Sequence, residues 1–222
     1  MPGTIDRAEF GALLAQGAEA LKLKLSDSQL EKLLDYLTLL LKWNAVYNLT
    51  AVRDPKQMLT QHLLDAMAAM TAFRGAKQVL DVGSGGGLPG MVLAIWAAEA
   101  EPQMVVHMID TVHKKTAFLT QVKAELGLTN TLIHTDRVEK FKSQRLFDVI
   151  TSRAFAELTD FVNWSGHLLQ EGGCMIALKG QAPVEEIARL PVGWVMQKLE
   201  PLIVPGMDAS RHLVFIQRQA EA

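Results

Sequence analysis

The sequence predicts an α/β protein: helices first, then a mainly parallel sheet with crossover helices, closed by an antiparallel pair of strands. Three observations carry this. Apolar side chains recur at helical spacing through the first seventy-odd residues. From residue 78, short apolar runs alternate with segments long enough for helices, and the last two runs follow each other with no long helix between them.

In chain order, helices are expected at about 6–20, 26–44 and 55–71, forming a helical cap over 1–75 ahead of a main domain at 76–222. Within 26–44, Leu30, Leu33, Leu34, Leu37, Leu40 and Leu41 fall on one side, and Ser26 or Asp27 supplies an N-cap. The runs QVLDV, MVVHMID, NTLIHT, FDVITS and GCMIALK read as parallel strands. GWVMQKLEPLIVPG and RHLVFIQRQ read as the closing antiparallel pair. No internal repeat or low-complexity segment interrupts this order.

Composition narrows the class. The 222 residues carry 22 bases and 24 acids, a net charge of -2, which argues against a chain that coats nucleic acid by bulk charge. A local basic face survives in 111–145, where seven bases (Lys114, Lys115, Lys123, Arg137, Lys140, Lys142, Arg145) meet three acids (Glu125, Asp136, Glu139). Cys174 is the single cysteine, so no intrachain disulfide forms and a cytoplasmic location is expected. No secretory leader and no membrane span is expected. The six histidines lack metal-ligand spacing, so no metal is expected. His62, beside Leu59, Leu63 and Leu64, is expected to be hydrogen-bonded between cap and core.

The stretch VLDVGSGGGLPG, residues 79–90, is where chemistry concentrates. In an open parallel sheet the ligand crevice lies beyond the carboxyl ends of the strands, and glycines there let backbone approach a ligand closely. Gly83, Gly85 and Gly90 fall where a turn needs that freedom. No Lys-Ser or Lys-Thr follows, so this is not a triphosphate loop. Asp110, ending the second strand, would accept ribose hydroxyls of a dinucleotide or any other nucleoside. Asp81 discriminates: a carboxylate just before the glycines repels a diphosphate and attracts a cationic amino-acid group. With Asp136 after the third strand placed to accept from an adenine amine, the three acids suit S-adenosylmethionine. A small-molecule methyltransferase, a nicotinamide dehydrogenase and a non-catalytic interaction module remain as rivals.

Beyond the glycine turn, NAVYNLTAVRDP (44–55), HLLDA (62–66), HKKTAFL (113–119), TSRAFAEL (151–158) and LKG (178–180) add a more specific pattern. Together they resemble the bacterial 16S ribosomal RNA guanine-N7 methyltransferase family over roughly 25–218. The resemblance implies a Rossmann-like class I methyltransferase fold, with a seven-stranded, mostly parallel sheet and an N-terminal helical extension. It implies S-adenosylmethionine as donor and, as acceptor, one guanine in the 530 loop of 16S RNA within the small ribosomal subunit; a monomer is expected. It places Asp81, Gly83, Ser84, Gly85, Gly87 and Leu88 on the donor turn and Asp110 with Thr111 at the ribose. Asp136, Arg137, Val138 and Glu139 fall beside the adenine. Arg153 falls on the SRA motif at the junction of donor and acceptor, Lys114 and Lys179 on basic positions facing the RNA, and Asn48 near the pocket mouth. Ala66 and His113 depart from the usual serine and glycine, which touches substrate contacts rather than the chemistry.

Guanine N7 has an in-plane lone pair and no proton, so it can attack a sulfonium methyl with no general base, and alignment is the main demand. Arg153, leaving the fourth strand, is expected to project its fork over the crevice toward guanine O6 or a phosphate. Phe155 is read either as a core side chain or as a platform for the extruded base.

Overall fold

The computed structural model describes residues 5–219. Seven strands form one sheet: β1 (Gln78–Val82), β2 (Val105–Asp110), β3 (Thr131–Thr135), β4 (Phe147–Arg153), β5 (Leu169–Lys179), β6 (Trp194–Leu202) and β7 (Arg211–Arg218). Their order is β3-β2-β1-β4-β5-β7-β6. All neighbours from β3 through β5 pair parallel, while β7 runs antiparallel to both β5 and β6. The mainly parallel sheet with an antiparallel close is therefore as the alternating runs imply.

Alternation along each strand builds two cores. Val79, Val106 and Ile176 face one side, where they join the helices α1 (Arg7–Ala20), α2 (Asp27–Tyr47), α5 (Gly90–Ala100) and α6 (His113–Leu126) in one cluster. Leu80, Ile109, Ile150 and Met175 face the other, where α7 (Leu158–Ser165) covers them through Phe161 and Val162. The N-terminal helices thus share a continuous core with the sheet.

Local chemistry explains the helix ends. Asp6 caps α1 through the amides of Ala8 and Glu9, and Ser26 with Gln29 forms a reciprocal capping box on α2. That helix runs to Tyr47, three residues beyond the predicted end, and stops at Asn48 in the left-handed region at φ 51°. The helix predicted over 55–71 forms, with a π-helical turn inside it and a tightened end. It comprises α3 (Pro55–Met58), a π-helical turn Leu59–Leu64, α4 (Asp65–Ala68) and a 3₁₀ turn Met70–Phe73. The wide turn shifts the faces of the following residues, so that His62 and Asp65 are both buried and both reach Arg153. The last helix, α8 (Val184–Ala188), is short and carries no buried side chain.

Two long-range contacts tie the helical layer to the glycine turn and to the α5 helix that follows it. The Tyr36 hydroxyl donates to the Gly86 carbonyl at 2.6 Å, and the Gln29 side-chain amide donates to the Trp96 carbonyl at 2.8 Å. At the far edge, His107 and His134 stack with centroids 5.2 Å apart and Nδ1 and Nε2 at 3.0 Å. Burial, reinforced by its neighbour, holds His107 down at about 4, and burial lowers His134 as well. The unfolded chain, with an ordinary value of 6.5, then binds more protons than the folded one as pH falls below that value. This contribution to stability is complete above about pH 6.5 and is lost toward pH 4. We expect thermal melts to show a larger fall in Tm between pH 7 and pH 5 for the native chain than for His107→Gln; equal falls would contradict this.

Candidate active site

The strand order reverses between β1 and β4, and side chains at their carboxyl ends open onto a cleft of about 380 Å³. Gly83 leaves β1 with φ +69°, and a Cβ there would stand 2.3 Å from Cδ2 of Phe155. That ring lies edge-on to Trp164 with centroids 5.7 Å apart, and both rings line the cleft. Phe155 is therefore neither a fully enclosed core residue nor part of the neighbouring pocket described below; it floors this cleft.

Of the residues predicted to hold the donor, Gly83, Asp110, Thr111, Asp136, Arg137, Val138 and Glu139 line the cleft. Asp110 is well buried: Oδ1 accepts from Val112 N at 2.9 Å, and Oδ2 accepts from Gly85 N at 3.0 Å. Lys115 Nζ stands 3.5 Å from Oδ2. Buried Val138 and Ile109 supply apolar walls beside these acids.

Asp81, Ser84, Gly85, Gly87 and Leu88 do not line the cleft but build its floor from beneath. Asp81 is fully buried and its Oδ2 accepts from Gly90 N at 2.9 Å, the first residue of α5. A Cβ at Gly90 would stand 2.6 Å from that oxygen, so only glycine lets helix and carboxylate meet this closely. The second oxygen, Oδ1, is buried with no hydrogen-bond partner. Burial, opposed by the Gly90 amide and the Arg153 charge, pushes the Asp81 carboxyl up to about 7. The Ser84 hydroxyl donates back to the Asp81 carbonyl at 2.8 Å, closing the turn.

A second cavity of about 470 Å³ adjoins the first. Arg153, Lys179 and Arg211 stand around it, with Thr50, His62 and Asp65. Ala154, the one non-glycine residue of β4's exit in the left-handed region (φ 51°), lines both cavities. Arg153 does not line the donor cleft, and its fork is not free over the crevice. Nη1 donates to the Gln61 carbonyl at 2.9 Å and to Asp65 Oδ2 at 2.8 Å, and Nη2 stands 3.5 Å from His62 Nδ1. Arg211 Nε donates to the other oxygen of Asp65 at 2.8 Å. The pull of that buried carboxylate is what draws the guanidinium back. Lys179 donates to the Ala156 carbonyl at 2.9 Å and to Glu186 Oε2 at 2.7 Å.

The other two predicted residues lie outside both cavities. Lys114 is exposed on the first turn of α6, and its neighbour Lys115 is the one that reaches the cleft. Asn48 is exposed, and its Oδ1 accepts from Arg53 at 2.6 Å. His62 is buried, hydrogen-bonded within the helical layer to Thr50 Oγ1 at 2.8 Å, and it meets the sheet through Arg153 of β4 at 3.5 Å; it also borders the second cavity. Asp65, Thr50 and Arg211 were not singled out from sequence. Asp65 and Thr50 lie inside the quoted HLLDA and NLT motifs, whereas Arg211 carries no local signal.

A profile of the rRNA small subunit methyltransferase G family (GidB) matches residues 29–214. The chain belongs to this family. It is 68% identical over 213 residues to "Ribosomal RNA small subunit methyltransferase G" of Herminiimonas arsenicoxydans, covering 96% of this chain and 98% of that protein. The protein of the same name from Janthinobacterium sp. (strain Marseille) is 65% identical over 213 residues, covering 96% and 97%. Among solved structures, a putative O-methyltransferase from Klebsiella pneumoniae superposes with a TM-score of 0.56 over 96% of this chain and 99% of that one, at 14% identity. That likeness reports the shared class I fold. As a GidB-family member the protein is an S-adenosylmethionine-dependent methyltransferase of 16S ribosomal RNA.

The donor set of this chain fits that cofactor. A cleft in the usual size range for small-molecule sites has apolar walls for a flat base and acid oxygens for ribose hydroxyls. Beneath its turn sits a buried carboxylate oxygen without a partner. Replacement Gly83→Ala would force a Cβ into Phe155 at a backbone conformation that costs a side chain about 1–3 kcal/mol. Calorimetry should show donor affinity weakened at least tenfold, and affinity equal to that of the native chain would contradict the placement of the donor over Gly83.

Proposed function

We propose that this chain methylates N7 of one guanine in the 530 loop of 16S RNA, taking the assembled or nearly assembled small subunit as substrate in the cytoplasm, as a monomer. The observation that supports this best is that the two cavities meet at Ala154. A donor held on one side and a base held on the other would come together across a single residue.

S-adenosylmethionine supplies a methyl group on a positively charged sulfur. The protein's share is positional. Asp110 and Asp136 receive the ribose and adenine, Val138 packs the ring, and Gly83, Ser84, Gly85, Gly87 and Leu88 shape the turn. Asp81 fixes that turn to α5 from beneath, where its buried carboxyl favours positive charge placed above the turn. Holding two partners in register contributes on the order of 7–11 kcal/mol in favourable intramolecular models, with no proton to move.

Arg153, Arg211 and Lys179 give the second cavity a cationic rim suited to the sugar-phosphate backbone around an extruded base. Lys114, Asn48 and the basic stretch 111–145 lie outside it and are assigned to more distant RNA contacts. A small-molecule enzyme would call for a closed apolar acceptor pocket, which a rim of three cations does not favour. A dinucleotide would bring its diphosphate against the Gly83–Gly87 turn, beside the buried carboxyl of Asp81. Among the described residues no helix is long and apolar enough to cross a membrane, and no group of three or more metal-ligating side chains occurs.

Incubation of the purified protein with labelled donor and under-methylated small subunits, followed by mapping of the modified base, tests the assignment. We expect a single N7-methylguanine in the 530 loop. Arg153→Ala should keep donor affinity within about twofold by calorimetry while transfer falls at least a hundredfold. Undiminished transfer would remove Arg153 from the acceptor site.

A further inference from the structure

The loop after α2 places Thr50 at the edge of the second cavity and fixes it there. Its backbone N–H donates to Asn44 Oδ1 at 2.8 Å, and Asn44 Nδ2 donates to the Val52 carbonyl at 3.0 Å. Asn44 itself is buried. The hydroxyl is thus held in place by the turn that carries it.

Its hydrogen-bonding direction follows from its neighbours. The Gln61 carbonyl also faces the imidazole, but it already accepts from Arg153 Nη1 at 2.9 Å; with a guanidinium, which can only donate, 3.5 Å from Nδ1, we assign that nitrogen the accepting role. Burial and the Arg153 charge keep this imidazole neutral, its value lowered to about 4. A neutral ring with Nδ1 accepting carries its proton on Nε2, and Nε2 lies 2.8 Å from Thr50 Oγ1. The Val52 N–H reaches the same oxygen at 3.2 Å. Both lone pairs of the hydroxyl are then occupied, and its own proton is the only group left to offer.

We propose that Thr50 is a specificity-determining residue for the acceptor base, presenting an obligate hydrogen-bond donor to the O6 carbonyl of guanine. This rests on the second cavity being the acceptor site. Guanine carries an acceptor, O6, beside N7, whereas adenine carries an amine at that position. A hydroxyl that cannot accept pairs with the first and leaves the second unmatched, while N7 keeps its lone pair for the methyl group. The chain Arg153, His62, Thr50 thereby turns the fixed donor character of an arginine into base discrimination two side chains away.

A double cycle on enzyme and substrate tests this. Small subunits are reconstituted with guanine or with 2-aminopurine, which keeps N7 and lacks O6, at the target position, and single-turnover transfer is measured for the native enzyme, Thr50→Val and Thr50→Ser. For the native enzyme, 2-aminopurine should be slower by roughly tenfold or more, the scale of one lost specific contact. In Thr50→Val the guanine rate should fall by a similar factor, the ratio between the two bases should shrink toward one, and donor affinity by calorimetry should be unchanged. Thr50→Ser should restore the ratio. Equal native rates on the two bases, a comparison that needs no variant, would overturn the proposal, as would an undiminished ratio in Thr50→Val. If Arg153→Ala loses transfer in the same assay while the ratio stays with Thr50→Val, the pocket is the acceptor site and Thr50 is not its reader. If Arg153→Ala transfers at the native rate, the acceptor-site reading itself falls, and this proposal with it.

Discussion

One buried carboxylate ties the helical layer to the sheet at the wall of the second cavity. Asp65 receives Arg153 from β4 on one oxygen and Arg211 from β7 on the other, and so binds the N-terminal helical layer to two strands of the sheet. Removing one partner of such a pair costs about 3–5 kcal/mol, because a charge is left buried and uncompensated. Well-packed apolar side chains of similar volume would often stabilise the fold as well or better. Stability alone therefore does not account for this clamp. What it supplies is placement: two guanidinium groups held at the wall of an open cavity, one of them facing the His62 imidazole that contacts Thr50.

The donor side depends on the same helical layer through a different contact. The Tyr36 hydroxyl, fully buried and pushed by burial above its ordinary range, remains a donor to the Gly86 carbonyl and steadies the glycine turn from outside the sheet. From inside, Asp81 anchors the turn to the start of α5. Between these two contacts the backbone at Gly83 is free to pass close to Phe155, and the cleft keeps its floor. The N-terminal helices thus support both cavities, which accounts for their burial in one continuous core with the sheet.

The fold was legible wherever a period was long and uninterrupted: the leucines of α2, the alternating strand runs, and the antiparallel tail. At 55–71 the helix was legible but the π turn inside it was not, because such a turn has no sequence signature of its own and nothing between Pro55 and Phe73 breaks a helix. That wide turn brings His62 and Asp65 to Arg153, so the clamp was hidden by the same irregularity. Sequence position at a strand end gave the place of Asp81 beside the turn but not the aim of its two oxygens. Motif reading turned it toward the ligand, whereas the geometry turns one oxygen into the helix and leaves the other buried. Lys114 and Lys115 differ by about 100° around one helix, and spacing alone could not choose which of them meets Asp110. Arg211 lies 146 residues from its partner, a distance at which local patterns carry no information.

On the proposed reading, donor and acceptor occupy two adjoining cavities that share Ala154. A crystal structure with S-adenosylhomocysteine and a guanosine nucleotide tests it most directly. We expect the first ligand in the cleft between Gly83, Asp110 and Val138, reaching Ala154, and the guanine across that residue among Thr50, Arg153 and Arg211. Both ligands in one cavity, or the guanine bound away from Arg153, would contradict it.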